Sequence, residues 1–151
     1  MAGFGIRQGV KAQQPCPCGG GPAAAAYGDC CRPLHRQERA AATAEQLMRS
    51  RYSAFALAEI DHLLRTQPSQ QPQQERRRSL EATCRKLRWR GLEILATEAG
   101  GPGDLEGTVT FAAHYSANGR QGVLRECSRF GRAGGRQDGA WLYVEALELS
   151  D

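Results

Sequence analysis

Cys16-Pro17-Cys18 and the adjacent pair Cys30-Cys31 place four of the chain's six thiols between residues 16 and 31. Zn²⁺ takes four soft ligands at the corners of a tetrahedron, and thiolates spaced this way can supply all four. The segment between the pairs opens with Gly19-Gly20-Gly21, a backbone able to turn tightly and aim N–H groups at sulfur. Four protein ligands leave no open position for water, so the favoured reading is a structural zinc site rather than metal-assisted hydrolysis. Free or redox-active thiols are the competing reading. His35, just beyond the cluster, is an alternative fourth ligand, because imidazole also binds zinc.

Other side chains offer weaker chemistry. Cys84 and Cys127 fit buried small hydrophobes on a helix and a strand. His62 sits among polar neighbours and reads as a surface residue. If one strand face lines an interior, His114, Glu126 and Ser128 could converge there as an acid–base set. The favoured alternative leaves them as polar groups on the outer face of a half-buried sheet. Trp89, Phe111, Trp141 and Tyr143 read as sheet core rather than a stacking platform. The glycine clusters lie between strand patterns, not before a helix, so none resembles a phosphate loop.

The elements that must position these groups follow from periodicity. Residues 1–14 lack a pattern and read as a mobile leader. Residues 15–36 form the cysteine module, in which Pro22 to Ala26 could make a helical turn and Pro33 ends regular structure. Thr43 with Gln46 is a capping-box pattern opening a helix striped by Leu47, Met48, Tyr52, Phe55 and Ala56. A short helix carries Ile60, Leu63 and Leu64. A polar connector over 67–74 leads to a third helix from Glu75 to Lys86. Alternating strands follow: one through Leu92, Ile94 and Ala96, one through Val109 to Tyr115, one over Val123–Phe130 and one over Trp141–Leu149. Asn118-Gly119 suits a hairpin turn because both residues tolerate positive φ. Helices followed by a four-strand antiparallel meander define an α+β fold, with helices covering one sheet face.

The net charge of +4 counts every thiol as neutral, and four thiolates on one Zn²⁺ bring it to about +2. That is too little to argue for nucleic acid, and the arginines at 76–78, 85, 88 and 90 read first as a solvated face. No apolar run approaches the ~20 residues of a membrane span, and the start of the sequence lacks the apolar core of a secretory signal. A reducing, cytoplasmic setting is expected, which again favours metal ligation over disulfides.

Cys16-Pro17-Cys18-Gly19 with Cys30-Cys31 resembles the SEC-C motif, a zinc module also found at the C-terminus of the SecA motor. Several later segments resemble the bacterial YchJ-like family. They are residues 43–55, Trp89-Arg90-Gly91-Leu92-Glu93-Ile94-Leu95, Glu106-Gly107-Thr108-Val109, Ser128-Arg129-Phe130 and Trp141-Leu142-Tyr143-Val144. The resemblance implies a SEC-C module followed, over 40–151, by a cone-shaped nuclear transport factor 2-like domain. Alanines replace the usual lysines between the cysteine pairs, in a longer loop than most SEC-C motifs have. Gln67 stands where the family often has tryptophan, and Glu145-Ala146 where it has an acidic residue and glycine. The resemblance brings no settled activity. The leading expectation is a non-enzymatic zinc protein whose module binds a protein partner, with Tyr27, Arg32 and His35 on one rigid surface. By analogy with SecA, that partner would belong to translation, chaperone or export machinery. The alternatives are a small-molecule binder or enzyme using the cone cavity, and a nucleic-acid binder using the arginine-rich helix.

Overall fold

The computed structural model describes residues 11–20 and 25–150. After a 3₁₀ turn at Tyr27–Asp29 come four helices, α1 (Arg32–His35), α2 (Ala44–Leu57), α3 (Ile60–Arg65) and α4 (Gln73–Lys86). Four strands follow, β1 (Arg88–Ala99), β2 (Glu106–Ala117), β3 (Arg120–Arg132) and β4 (Trp141–Ser150). They form one antiparallel sheet in the order β1-β2-β3-β4. This is the α+β meander that the alternation predicts, with the strands longer at their ends than the apolar pattern reaches. Hydrogen-bond pairing, unlike burial, continues past the core.

Helix α2 organises the molecule. The Thr43 hydroxyl accepts the Gln46 backbone N–H at 3.0 Å, satisfying one of the free donors at the helix start, and Gln46 Oε1 reaches back past the N-cap to accept the Ala42 N–H at 2.8 Å. That end is docked on the β1–β2 loop, where the Ala44 N–H meets the Gly100 carbonyl at 2.9 Å. Gly100 has φ +81, and a Cβ there would lie 2.9 Å from that of Ala44, so only glycine fits both the turn and the approach. Leu47, Met48 and Tyr52 pack on Val109, Phe111, Ala113, Phe130 and Trp141 of the sheet. Ile60, Leu64 and Cys84 form a smaller cluster that joins α3 to α4.

Several local expectations are corrected. Pro33 does not end regular structure, because it stands in the first turn of α1, where proline's missing N–H costs nothing. Helix α4 starts at Gln73, behind Pro72 at φ −56. His62 is buried, not on the surface, because the short α3 is flanked by both α2 and α4. Cys84 is buried but Cys127 only half so. It pairs with Thr110, away from the face carrying Val109 and Phe111. Asn118-Gly119, at φ 53 and 79, makes the tight turn expected of it.

Of the expected mobile leader, residues 1–10 lie outside the described residues. Residues 11–14 are tied down: Ala12 and Gln14 accept the N–H groups of Gly28 and Tyr27, each at 2.8 Å. The expected turn from Pro22 to Ala26 lies largely outside the described residues, and Ala26 itself forms an antiparallel bridge with Pro15.

Candidate metal centre

The four cysteines arrive from two short backbone devices. Pro15 and Ala26 bridge, the Cys16 N–H reaches the Ala25 carbonyl at 3.2 Å, and the Gly19 N–H turns back to the Cys16 carbonyl at 3.0 Å. This turn, with Gly19 at φ 90 and Gly20 at φ 72, points Cys16 and Cys18 to the same side. The 3₁₀ turn then delivers Cys30, and Cys31 sits at the N-cap of α1.

All four sulfurs lie within 4.8 Å of one another, with Cys18 Sγ to Cys30 Sγ at 3.5 Å and Cys30 Sγ to Cys31 Sγ at 3.9 Å. Sulfurs at ~2.3 Å from a tetrahedral ion are about 3.8 Å apart, so the donor set fits one metal ion of that type. None of the six cysteines is in a disulfide.

The sulfurs set each other's proton affinity. Hydrogen bonds from Cys16, then Cys30 and Cys31, pull the Cys18 thiol far down, and Cys16 pulls Cys30 down. The counterpart bonds push Cys16 and Cys31 far up. Four sulfurs this close share protons, and a cation is what allows all of them to be thiolates. The protein supports the charge: the Gly20 N–H lies 3.2 Å from Cys18 Sγ, as the glycine run predicts. Arg49 Nη1 donates to the Cys18 carbonyl at 2.8 Å while its Nε donates to Glu45.

His35, the alternative fourth ligand, does not join the sulfur cluster. It is 6% exposed, and both ring nitrogens are engaged elsewhere. Nε2 donates to the Ser50 carbonyl at 2.9 Å, so Nδ1 accepts from the Tyr27 hydroxyl at 2.8 Å. The second buried imidazole, His62, stacks edge-on against it with ring centres 4.9 Å apart. Ser50 Oγ donates to the Leu47 carbonyl, so His62 Nε2 must donate to Ser50 Oγ at 2.9 Å. This leaves His62 Nδ1 buried without a partner among the described residues. Burial, with the nearby His35 and Arg51, lowers the His62 pKa from 6.5 to about 3, and burial lowers His35 too. The module is therefore locked to α2 and α3 by a neutral polar network. Tyr27 and His35 face the interior rather than the expected partner surface; Arg32 alone of the three is half-exposed.

The convergence of His114, Glu126 and Ser128 does not assemble, and the favoured outer-face placement holds for His114 alone. Glu126 and Ser128 pair with Phe111 and Val109 and share the inner face, but His114 pairs with Val123 and points to the other side. There its Nε2 meets Glu93 at 2.7 Å. What Glu126 meets instead is Tyr143, whose hydroxyl donates to Oε2 at 2.7 Å, and the Ser128 hydroxyl on the same oxygen. Arg51, 5% exposed, lies beside them with its guanidinium 4.9 Å from the Tyr143 ring centre. Sequence reasoning passed over Arg51, although a charged residue one helical turn from Met48 and Phe55 on an apolar stripe was a readable signal.

The relatives agree with this architecture. Residues 43–146 match the family model described as "YchJ, middle NTF2-like domain". A UPF0225 protein of Geobacter sulfurreducens is 39% identical over 134 residues, covering 89% of this chain and 79% of its own. One from Ralstonia nicotianae is 45% identical over 135 residues, covering 86% and 88%. Among solved structures, the solution structure of a SEC-C motif containing protein from Rhodopseudomonas palustris superposes with TM-score 0.72 at 32% identity, covering 91% of this chain and all of that one. A crystal structure of a SEC-C motif containing protein from Psychrobacter arcticus gives 0.71 at 28% identity, covering 93% and 85%. With its cysteine cluster ahead of a matched NTF2-like domain, the chain belongs to the YchJ-like UPF0225 family.

Proposed function

We propose that the chain is a zinc-stapled interaction protein in which Cys16, Cys18, Cys30 and Cys31 hold one structural Zn²⁺ and the module presents a docking surface to a protein partner. The observation that carries this reading is the closed set of four sulfurs within 4.8 Å, which supplies every tetrahedral position and leaves none for a substrate. Zinc is the ion this donor set suits, since it has no geometric demand beyond the tetrahedron and favours thiolate. Bound there, the ion supplies rigidity and charge compensation only.

Next to the cluster runs a groove of about 370 Å³ between the module and the start of α2, lined by Cys30, Leu34, Arg39, Glu45, Gln46 and Arg49 among others. Its floor is partly apolar and its rim carries both signs of charge, which suits a polypeptide better than a polyanion. Cys16, Cys18 and Cys31 belong to the main core with Leu47, Met48 and Tyr52, and Cys30 packs against it. Deleting the module would expose that core, so point variants of the intact chain are the proper test.

A photo-crosslinking residue placed at Gln46, with Leu147 on β4 as the control position, examines the groove in living bacteria. The reading expects a crosslinked protein from Gln46 alone, abolished by Cys16→Ser, with one zinc per wild-type chain in native mass spectrometry. Identical adducts from both positions, or adducts indifferent to Cys16→Ser, would refute it. A chain that carries no zinc would refute the metal assignment.

A further inference from the structure

Between α2 and the inner sheet face lies a second cavity, of about 290 Å³, with walls that include Met48, Tyr52, Phe55, Phe111 and Leu124. We propose that it binds a small, uncharged, mostly apolar molecule whose polar end sets a hydrogen-bond acceptor beside a donor, as an amide or lactam edge does. The proposal is independent of the metal module.

Two charged groups face this space. Arg51 is tied to neutral acceptors: Nη1 donates to the Leu63 carbonyl at 3.2 Å and to Thr66 Oγ1 at 2.6 Å, and Nη2 to Gln67 Oε1 at 2.8 Å. Among the described residues no carboxylate lies within 4.0 Å of it, and its hydrogen bonds there all leave from Nη1 and Nη2, none from Nε–H. Glu126 receives both its hydrogen bonds among the described residues, from Tyr143 and Ser128, on Oε2, which leaves Oε1 to the cavity. Tyr143 stands between the pair. Its ring lies against the guanidinium and its hydroxyl holds the carboxylate, which keeps the two charges apart but fixed.

This arrangement selects by charge. A buried ion without a counter-charge is costly. An organic anion would satisfy Arg51 and be repelled by Glu126, and a cation the reverse. A neutral group that accepts from Arg51 Nε–H and donates to Glu126 Oε1 satisfies both at once. The remaining walls are mostly aromatic and aliphatic, with Gln67 and Thr83 as the polar exceptions, and Gln67 Oε1 is already taken by Arg51, so the rest of the ligand is a mostly apolar, flat body. Small-molecule pockets start at roughly 300 Å³, so the volume suits one ring and its substituent. Trp89 also lines the cavity, but its indole N–H is itself buried, without a hydrogen-bond partner among the described residues. Its ring meets Tyr52 and Tyr115 edge-on, and its place is in the packing.

Benzamide, benzoate and benzamidine share a ring and differ in charge, which makes them suitable probes. The test is a ¹H–¹⁵N NMR titration of the full metal-loaded chain with each in turn. Benzamide should shift the Phe111, Leu124 and Tyr143 amides and bind about tenfold more tightly than either ion, the discrimination expected when one buried polar group is left unpaired. Glu126→Gln must keep an oxygen toward Ser128 and Tyr143, which turns its NH₂ to the cavity, so benzoate should overtake benzamide. Leu124→Trp should fill the space and abolish all three responses in a chain whose other amide signals are unmoved. No response at the cavity amides to any probe at about 10 mM overturns the proposal. So does benzoate binding as well as benzamide in the wild type. Should Glu126→Gln fail to fold, the wild-type ranking and Leu124→Trp decide the matter.

Discussion

Acidification should destabilise this protein through His62, and the size of the effect follows from the geometry. Its Nε2–H is committed to Ser50 Oγ, and a proton added at Nδ1 would place a charge in a site where no described residue offers an acceptor. The native pKa is held at about 3 against an ordinary 6.5. Below pH 6.5 the unfolded chain therefore binds a proton that the folded chain refuses, so stability falls as pH drops and stops falling near pH 3. The slope approaches about 1.4 kcal/mol per pH unit, and by pH 5 the loss is about 2 kcal/mol. Urea unfolding of the wild type and of His62→Gln from pH 8 to 5 isolates this contribution. The Gln side chain keeps a donor for Ser50 but cannot titrate, while proton uptake by the cysteines and by His35 is common to both chains. The wild type should lose about 2 kcal/mol more than the variant over that range. Parallel curves would refute the reasoning, as would an imidazolium ¹⁵N signature for His62 in the native state at pH 5.

Two further outcomes test the frame around the sites. Gly100→Ala should cost about 1–3 kcal/mol in urea unfolding, because the residue sits at φ +81 with Ala44 Cβ 2.9 Å from the new methyl; an unchanged midpoint would show that the α2 docking loop is free to shift. His114→Ala should change stability by less than about 1 kcal/mol, since its pairing with Glu93 is exposed, and a larger loss would contradict the outward placement of His114.

Most of the fold could be read in the sequence because its signals are local. The Thr43–Gln46 cap, the Asn118-Gly119 turn and the period-two strands each depend on neighbours a few residues away. The cysteine cluster was legible for the same reason. What escaped depends on distance in the chain. His35 and His62 are ordinary polar letters until α1 and α3 close on α2, where Ser50 and Ser53 are small enough to admit both rings and polar enough to bond them. His114 was assigned to the wrong company because the pairing of β2 with β3 sets Val123, not Glu126, opposite it. An alternating pattern gives each strand's two faces but not their match across strands.

Three consecutive residues of α2 explain how the two candidate sites share one scaffold. A helix turns by about 100° per residue, so neighbours in sequence face different partners. Arg49 holds the Cys18 carbonyl of the metal loop, Ser50 holds His35 and His62, and Arg51 faces the cavity. Each is fixed by hydrogen bonds rather than by apolar contact alone, so the rotation of α2 about its axis is set by three polar interactions at once. A metal bound by the cysteine loop would therefore also stiffen the position from which Arg51 enters the cavity. The polar residues inside α2 cost something to bury, and what they supply in return is one defined orientation.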